Sequence, residues 1–487
     1  MRWHYPIVLG VLLLVLIGFL TQVGLAQNSP KSDLPNQKLT PVLLENVQIF
    51  NGISEQLSAP SNVLVVDHKI QTISTTPIPK LPNTDVVQIK GGGRVLMPGL
   101  IDAHTHLLLE TIALEELLSP KTSTETVFEK AKENVTTMLM SGFTSTRDMA
   151  GPVFELKKAI DRGDVVGPRI WPSGAMISQT GGHGDFRSLQ ELPRTSSTPL
   201  SRAEEFGQSA IADGVDEVLR RTREQLMLGA SQIKLAAGGG VASSYDPIDV
   251  SQYTESELHA AVEAAANWNT YVAVHAYTPN AIHKPRAGHS STKSYVAVHA
   301  YTPNAIQTAI RAGVKCIEHG QLMDEKTAKM IAEQGIWLSI QPFLDDEDAN
   351  PYPEGSANRA RQLQVAEGTD VAYNLARKYN IKTAWGTDTL YSAKKATRRG
   401  AILAKMVRWY TPAEVLKMAT RTNAQLLMLS GPRNPYPGKL GVVEEGALAD
   451  LLLFNGNPLE NIQLIENPDN FVVVMKDGVV YKNLLNR

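Results

Sequence analysis

The sequence predicts an α/β protein: a (β/α)8 barrel of the TIM type, with a small β-sandwich domain built from both chain ends. The middle of the chain alternates short apolar, strand-like runs with helical stretches, which is typical of a parallel barrel. Both ends instead read as short strands separated by turns. At 487 residues the chain is long enough for both units. The expected boundaries are 40–96 and 431–487 for the sandwich and 97–430 for the barrel.

Eight apolar runs supply the predicted barrel strands, in chain order GLIDAH, GFTSTRDM, RIWPSGAMI, SQIKLAA, YVAVHA, KCIEHG, IWLSIQP and IKTAWGTD. Amphipathic stretches such as ESELHAAVEAAANW and DEKTAKMIAEQG lie between them and predict helices. The predicted end strands include NVLVVDHKIQTIS before the barrel and FVVVMKDGVVYKN after it. In a parallel barrel the carboxyl ends of all strands lie on one face, where active sites are built.

Residues 1–26 differ in composition from the rest of the chain. The apolar core at 7–20 has 14 residues, which is short for a membrane span and typical of a signal peptide. Gly24 and Ala26 form a cleavage site of small residues, so we expect cleavage after Ala26 and a periplasmic or secreted protein. The alternative is an uncleaved segment that anchors the chain to a membrane. Residues 27–39 are polar and predict a flexible lead-in.

Composition and charge narrow the range of partners. Hydrophobic residues make up 43% and charged residues 20% of the chain, as in ordinary globular proteins. A net charge of −2 gives no reason to expect nucleic acid or an acidic membrane surface as a partner. Cys316 is the only cysteine, which excludes an internal disulfide. The sequence therefore favours a small-molecule ligand, and assembly into a homo-oligomer is left open.

Side chains that can bind metal occur where the predicted barrel strands end. His104 and His106 end the first strand, Lys234 lies on the fourth, His319 ends the sixth and Asp388 ends the eighth. Two imidazoles two residues apart lie on the same face of an extended chain. Neutral imidazole together with carboxylate suits zinc or a similar divalent ion. Lys234 does not fit this set as an ammonium, because an ammonium has no lone pair for a cation.

The fifth strand is present twice, because YVAVHAYTPNAI occurs at 271–282 and again at 295–306. Each copy carries a histidine, His275 or His299, as the candidate strand-five ligand. A barrel has one fifth position, so we expect one copy to occupy it. A helical stretch precedes the first copy, as expected for a fifth strand. A helical stretch follows the second copy, which is also expected for a fifth strand. We favour His299 and expect the spare copy to bulge from the bottom of the barrel.

Several motifs together resemble the amidohydrolase superfamily: VLMPGLIDAHTHL, the strand-four lysine, HAYTP, KCIEHG, AWGTDT and GALADLLL. More narrowly, the chain is similar to the dipeptidase and N-acyl-amino-acid hydrolase branch, which includes prolidase-like and ochratoxin-hydrolysing enzymes. The resemblance extends over residues 40–485. It implies a metal-dependent hydrolase.

The resemblance also implies two divalent ions, with zinc the expected metal. The ligands would be His104, His106, Asp388, His319, Lys234 and whichever of His275 and His299 ends strand five. In this family the matching lysine is carbamylated by CO₂ and bridges the two metals. Carbamylation would convert Lys234 from a cation into a carboxylate-like anion, which explains its presence in the set.

The implied reaction is hydrolysis of an amide bond in a dipeptide or N-acyl amino acid, of the Xaa-Pro dipeptidase or carboxypeptidase-like type, by a metal-bridging hydroxide. Asp388 would take the proton of the water and deliver it to the leaving amine. By the same resemblance, His183 and the tyrosine after the strand-five histidine, Tyr301 or Tyr277, would contact the substrate. Arg147 either contacts a substrate carboxylate or forms a salt bridge with Asp148 or a neighbouring strand.

Two other functions stay open at this point. One is a cyclic-amide hydrolase or deaminase of the imidazolonepropionase-like type, against which Lys234 argues, since those single-metal sites usually lack the bridging carbamate. The other is a non-catalytic binding protein. The duplicated strand favours it, because the family pattern has no such insert.

Overall fold

The computed structural model describes the chain from residue 39 to residue 485, apart from several internal gaps. The described ranges are 39–195, 197–236, 240–242, 245–247, 252–275, 295–300, 316–350 and 352–485. Of residues 255, 273–275 and 295–300 the backbone alone is described. No helix in these ranges combines the length and the apolar character that a membrane crossing needs. The predicted signal peptide lies outside the described residues.

Three groups of strands follow one another along the chain. The N-terminal group consists of β1 Val42–Ile49, β2 Ser61–Val66, β3 Lys69–Ser74, β4 Val87–Lys90 and β5 Val95–Pro98. The central group consists of β6 Leu100–Thr105, β7 Phe143–Asp148, β8 Arg169–Pro172, β9 Met176–Ser178, β10 Ser209–Ile211, β11 Ile233–Ala236, β12 Tyr271–His275, β13 Tyr295–Ala300, β14 Cys316–His319, β15 Trp337–Ile340 and β16 Thr383–Trp385. The C-terminal group consists of β17 Leu451–Phe454, β18 Phe471–Lys476 and β19 Val479–Asn483.

Strands from the two chain ends form one eight-stranded sheet. Its order is β19-β18-β17-β5-β1-β2-β3, with β4 also paired to β1. The antiparallel pairing of β17 with β5 joins the ends. Buried apolar side chains from both ends pack in one cluster, among them Val42, Val65, Leu451 and Val473. Removal of these side chains from water holds the ends together. The sandwich arrangement and the domain boundaries stay predictions.

The central strands form two parallel sheets, a three-stranded one in the order β6-β7-β8 and an eight-stranded one in the order β10-β9-β11-β12-β13-β14-β15-β16. Backbone hydrogen bonds connect the two sheets at two places. Ser231 N–H, just before β11, donates to Pro172 O at the end of β8 over 2.8 Å. Asp388 N–H donates to His104 O over 2.9 Å, between the segment after β16 and β6. The protein therefore has a mixed α/β fold, and the carboxyl ends of β6 and β16 are adjacent.

Both copies of the repeated segment are strands of the eight-stranded sheet. β12 and β13 pair in parallel without a shift, from Tyr271 opposite Tyr295 to His275 opposite His299. β12 also pairs with β11, and β13 pairs with β14. The prediction that the spare copy bulges out of the strand layer is therefore wrong. Every strand carries N–H and C=O groups that need partners, and a place between β11 and β14 supplies partners on both edges.

The described helices lie between the central strands and after β16. They are α1 Leu114–Leu118, α2 Thr124–Met140, α3 Phe154–Asp161, α4 Arg202–Glu205, α5 Val215–Leu228, α6 Glu255–Asn267, α7 Glu325–Glu333, α8 Ala357–Lys378, α9 Ala393–Ala396, α10 Arg399–Ala404, α11 Pro412–Lys417 and α12 Asn423–Leu427. α2 begins where the Ser123 hydroxyl accepts from Thr126 N–H over 3.0 Å. Its buried face repeats every four residues, at Val127, Ala131 and Val135.

Candidate metal centre

Four polar side chains meet at the carboxyl ends of β6, β14 and β16. His104 belongs to β6, His106 follows β6, His319 ends β14 and Asp388 follows β16. Asp388 Oδ1 lies 3.4 Å from His104 Nε2 and 3.0 Å from His106 Nε2. Asp388 Oδ2 lies 3.8 Å from His319 Nε2. The structure thus brings together four of the residues that the sequence predicts as metal ligands.

The donor atoms of this group fit a divalent ion. One ligand atom from each of His104, His319 and Asp388 lies within 4.8 Å of the others. Zinc binds imidazole nitrogen and carboxylate oxygen at about 2.0–2.2 Å, so a cluster of this size can surround one ion. Nδ1 of His106 is buried and has no hydrogen-bond partner within the described ranges.

Hydrogen bonds on the far side of two rings determine which nitrogen faces the centre. His104 Nδ1 lies 2.9 Å from Glu318 Oε2, and His319 Nδ1 lies 2.5 Å from Gln341 Oε1. Because carboxylate and amide oxygens only accept, each Nδ1 carries the ring proton. Each Nε2 then has its lone pair on the side of Asp388. This is the tautomer of a metal-binding histidine.

Glu318 is held in turn by Arg147 of β7. Arg147 Nη2 donates to Glu318 Oε1 over 2.5 Å, Nε donates to Ala103 O over 2.6 Å, and Nη1 donates to the Tyr271 hydroxyl over 3.2 Å. Burial opposes ionisation of Glu318, but the charge of Arg147 and the hydrogen bonds with His104 and Ser339 together outweigh burial and lower the pKa of this carboxyl below its ordinary value. Arg147 therefore forms a buried ion pair with Glu318 of β14, in the other central sheet, and not the predicted salt bridge with Asp148 or a neighbouring strand.

Asp102 positions the segment that carries Asp388. Its Oδ1 accepts from Thr387 N–H over 3.0 Å and from His104 N–H over 3.2 Å, and its Oδ2 accepts from the Thr387 hydroxyl over 2.7 Å. Asp102 is not among the residues predicted from the sequence. Its two-residue spacing from His104 places both on one strand face and could have identified it.

Glu318 was missed for a different reason, since it directly precedes His319 in β14. Side chains alternate along a strand, so neighbours are expected to point apart. His319 has a φ of +75°, outside the extended region, and the alternation therefore does not hold there. Asp388 also has a positive φ, of +50°. Backbone strain of this kind is concentrated at functional sites.

Protonation states in the cluster suit metal binding. Burial lowers the pKa of the His319 imidazole to about 3, so the ring is neutral at pH 7. Burial alone would raise the pKa of Asp388, but the neighbouring His104, His106 and His319 together outweigh burial and lower this pKa below its ordinary value. Metal ions bind neutral imidazole and ionised carboxylate, which are the forms present here.

Lys234 of β11 lines the same cavity as His319 and Asp388. Its side chain is buried, with 2% exposure. Burial lowers the pKa of its amine to about 7, although the charges of Glu318 and Asp388 oppose this shift. A large fraction of the amine is therefore uncharged at neutral pH and has a lone pair that can react.

His183 lies in the wall of this cavity, in the segment after β9. Its backbone N–H donates to Gln252 Oε1 over 2.8 Å, and its ring Nδ1 lies 3.6 Å from Asp246 Oδ2. A Cβ atom at Gly240 would lie 2.0 Å from the ring of His183, so only glycine leaves room for the imidazole there. The position agrees with a substrate contact, which stays a prediction.

The strand-five histidines are described by their backbone alone. His275 ends β12, the neighbour of β11, and His299 belongs to β13, the neighbour of β14. The two residues lie opposite each other in the register, so the strand pairing does not choose between them. Tyr277 and Tyr301, the predicted substrate contacts, lie outside the described residues.

The polar side chains of His106, His183, Lys234, His319 and Asp388 line one cavity of about 170 Å³. Its walls include Leu109, Met176, Phe186, Phe343, Leu344 and Val365. The ring of Phe343 stacks on His319, with centroids 5.8 Å apart. A cavity with apolar walls and a few convergent polar groups is typical of a small-molecule site.

Comparison with known proteins agrees with this geometry. A model of the amidohydrolase family matches residues 95–294 and 289–481. The chain belongs to the amidohydrolase family. The two matched parts meet between the copies of the repeat, which is where this amidohydrolase departs from the family pattern. The ochratoxinase of Aspergillus niger is 33% identical to it over 404 residues, which cover 80% of this chain and 76% of that protein.

Solved structures of similar fold agree with the assignment. An amidohydrolase structure has a TM-score of 0.76 and 32% identity, covering 92% of this chain and 100% of the other. A prolidase complexed with N-methylphosphonate-L-proline has a TM-score of 0.76 and 30% identity, covering 91% and 100%. The A. niger ochratoxinase structure has a TM-score of 0.73 and 27% identity, covering 92% and 96%. This amidohydrolase is thus an enzyme, a hydrolase that acts on C–N bonds. The family is typically metal-dependent, and the histidine and aspartate cluster is the candidate site.

Proposed function

We propose that this amidohydrolase cleaves the amide bond of a dipeptide or an N-acyl amino acid with the help of two divalent ions, zinc being the expected metal. The observation that carries the proposal is the cluster of His104, His319 and Asp388, in which two imidazoles present their lone pairs to one carboxylate. The similarity to an ochratoxinase and a prolidase supports amide substrates. A Xaa-Pro dipeptidase structure with bound methionine, at 27% identity and a TM-score of 0.71, supports the same class.

We infer that the two central sheets form one barrel of the (β/α)8 type to which the second copy of the repeat adds a strand. The hydrogen bonds from Ser231 to Pro172 and from Asp388 to His104 support this closure. A closed barrel would gather the carboxyl ends of all central strands around the cavity.

The proposed ligands follow from position and chemistry. His104, His106 and Asp388 would hold one ion, and His319 with a strand-five histidine would hold the other. Lys234 would bridge the two as a carbamate. Its pKa of about 7 supports this modification, because the uncharged amine can attack CO₂, form the N–C bond and release one proton.

When bound, the ions would lower the pKa of water toward ~7 and polarise the scissile carbonyl. Asp388 would accept the proton of the attacking water and deliver it to the leaving nitrogen. His183 would donate a hydrogen bond to the substrate carbonyl. The apolar walls would exclude bulk water and accept a large apolar side chain or acyl group.

The test uses protein purified with added zinc and bicarbonate. Substrates are Xaa-Pro and Xaa-Arg dipeptides, N-acyl-phenylalanine and a cyclic amide, and bound metal is measured in the same samples. Hydrolysis of the linear amides with about two metal equivalents supports the proposal. Turnover of the cyclic amide alone, or retention of less than one equivalent in the presence of bicarbonate, would contradict it.

The strand-five ligand is tested by two single variants, His275→Ala and His299→Ala. The histidine that binds metal is the one whose loss lowers the metal content and the turnover. If each variant keeps both metals, the two copies substitute for each other, and the double variant is then expected to lose one ion.

Excision of one period of the repeat tests the added strand. Removal of residues 276–299 leaves a single copy, and because β12 and β13 pair without a shift, that copy can keep the registers with both β11 and β14. We expect this variant to fold and to retain metal and turnover. Loss of metal or of turnover in this variant would contradict the expectation that one copy of the strand is enough.

We also propose export to the periplasm or beyond, through a signal peptide that is cleaved after Ala26. The apolar core at 7–20 supports this proposal. N-terminal sequencing of the mature protein tests it. An intact Met1 in membrane fractions would favour the anchored alternative.

A further inference from the structure

The cavity of the metal centre is also lined by charged residues from the segments that follow β15 and β16. Lys405 Nζ lies 2.6 Å from Asp346 Oδ2 and 2.5 Å from Asp348 Oδ2. Arg398 Nε lies 2.5 Å from Asp348 Oδ1. These two carboxylates therefore already have cationic partners from the chain itself.

Lys395 lines the same cavity and has a different environment. Its half-buried Nζ donates to Ala349 O and, over 3.1 Å, to Asn350 Oδ1. Both acceptors are uncharged, and among the described residues no carboxylate forms an ion pair with Lys395. An ammonium has three N–H donors, so one donor remains after these two bonds. Burial lowers the pKa of this amine, and the charges of Asp348 and Asp346 oppose the shift from a distance, without a direct ion pair.

Asn350 connects Lys395 to the metal centre. Burial raises the pKa of the Tyr352 hydroxyl, a hydrogen bond with Asn350 opposes this shift, and the charge of Asp388 adds to it. Tyr352 is thus in contact with Asn350 and within electrostatic reach of Asp388. Lys395, Asn350 and Tyr352 together form a polar strip of the cavity wall.

We propose that Lys395 binds a free carboxylate of the substrate and thereby selects acidic over neutral amides. This rests on the proposed function and adds a specificity residue to it. A cation in a cavity wall is costly unless it is paired, and a carboxylate is the partner that completes its third donor. N-methylphosphonate-L-proline and methionine, the ligands in two related structures, both carry such a group.

The experiment compares the wild type with Lys395→Met, Lys395→Arg and the control Lys394→Met, whose side chain is exposed. Substrates are N-acetyl-phenylalanine, its C-terminal amide and N-succinyl-phenylalaninamide, which has its carboxylate on the acyl side. We expect Lys395→Met to lower kcat/KM for one of the acids 10- to 100-fold, mainly through KM, and to leave the neutral amide unchanged. Lys395→Arg should retain most of the activity. The acid that is affected identifies which carboxylate is bound.

Equal losses on acidic and neutral substrates would show a structural role and overturn the proposal, as would no loss on either acid. A binding measurement distinguishes failure of the proposed role of Lys395 from failure of the proposed function. Titration of zinc-loaded protein with phenylalanine, N-acetyl-phenylalanine and the amide of each needs no turnover. If the wild type hydrolyses none of the substrates, the proposed function fails. The role of Lys395 is then still tested by the binding measurement: its loss should weaken binding of an acid but not of the corresponding amide.

Discussion

Two buried groups of charged residues differ in how they are completed. One joins the central strands to the end sheet, where Arg169 of β8 lies 2.9 Å from Asp450 and 2.6 Å from Asp477. Asp450 also accepts from Asp477 N–H over 2.7 Å, and Lys476 Nζ donates to Gly167 O over 2.8 Å. Each carboxylate in this group faces a cation of the same chain. This closed group of Arg169, Asp450 and Asp477 is complete without a ligand.

The metal centre is built in the opposite way. Asp388 faces Nε2 of His104 at 3.4 Å and of His319 at 3.8 Å, and both rings carry their proton on the far nitrogen. A cation that lay between these three acceptors would be attracted by all of them. The comparison teaches that buried charge alone does not mark a functional site. The orientation of the acceptors does, because it shows which partner has to come from outside.

A substitution of Asp388 in the metal centre is expected to change turnover more than any other substitution proposed below. Asp388→Asn should lower turnover by about 10²- to 10⁴-fold, because the amide cannot accept the proton of the attacking water. We expect metal content and thermal stability to stay close to the wild type. Steady-state kinetics, metal analysis and thermal unfolding measure the three quantities.

The matched variant in the group of Arg169, Asp450 and Asp477 is Asp450→Asn. It should lower the stability of the protein and leave the turnover of the folded fraction unchanged. Near-normal turnover of Asp388→Asn would refute its role as proton acceptor. A loss of turnover in folded Asp450→Asn would refute the distinction between the two groups.

Arg169→Met tests whether the closed group is held by its own cation. The substitution leaves Asp450 and Asp477 buried without their main partner, which should lower the free energy of unfolding by about 3–5 kcal/mol. Urea unfolding measures the loss, and kcat/KM of the folded protein should not change. Arg169→Lys keeps the charge and should lose less, and an equal loss in both variants would point to packing rather than charge.

Substitutions of Gln341 test the orientation of the acceptors, and Gln341→Leu does so without a change of net charge. Gln341→Leu removes the oxygen that accepts from His319 Nδ1, so the ring is free to turn, and metal affinity should fall about 10- to 100-fold. Gln341→Glu supplies a stronger acceptor and should keep the affinity. Competition with a chelator measures both variants. Equal affinities of the Leu variant and the wild type would show that the tautomer is set elsewhere.

The sequence allowed His104, His319 and Asp388 to be identified because a parallel fold gathers strand ends at one edge. It did not reveal Gln341, since its contact with His319 depends on side-chain conformations across two strands. Nor could it show that both repeat copies enter the sheet. The apolar pattern of YVAVHA says that each copy can form a strand, but it carries no information on how many strands a sheet accepts.

The smallest expected effect concerns Lys476, which lies beside the closed group. Burial, with the charge of Arg169, lowers the pKa of this amine to about 8, although Asp450 and Asp477 oppose the shift. The unfolded chain keeps the proton up to about pH 10.5, so between pH 8 and 10.5 the unfolded state binds more protons and stability rises with pH. Relative to Lys476→Met, the wild type should gain about 1 kcal/mol per pH unit in this window and nothing below it. Urea unfolding of both proteins at pH 7, 8, 9 and 10 measures the difference in their free energy of unfolding. Groups that both proteins share titrate equally in the two and do not contribute to this difference. A difference that does not change with pH would mean that the ammonium is as well paired in the folded protein as in water, and the closed group would then extend to Lys476.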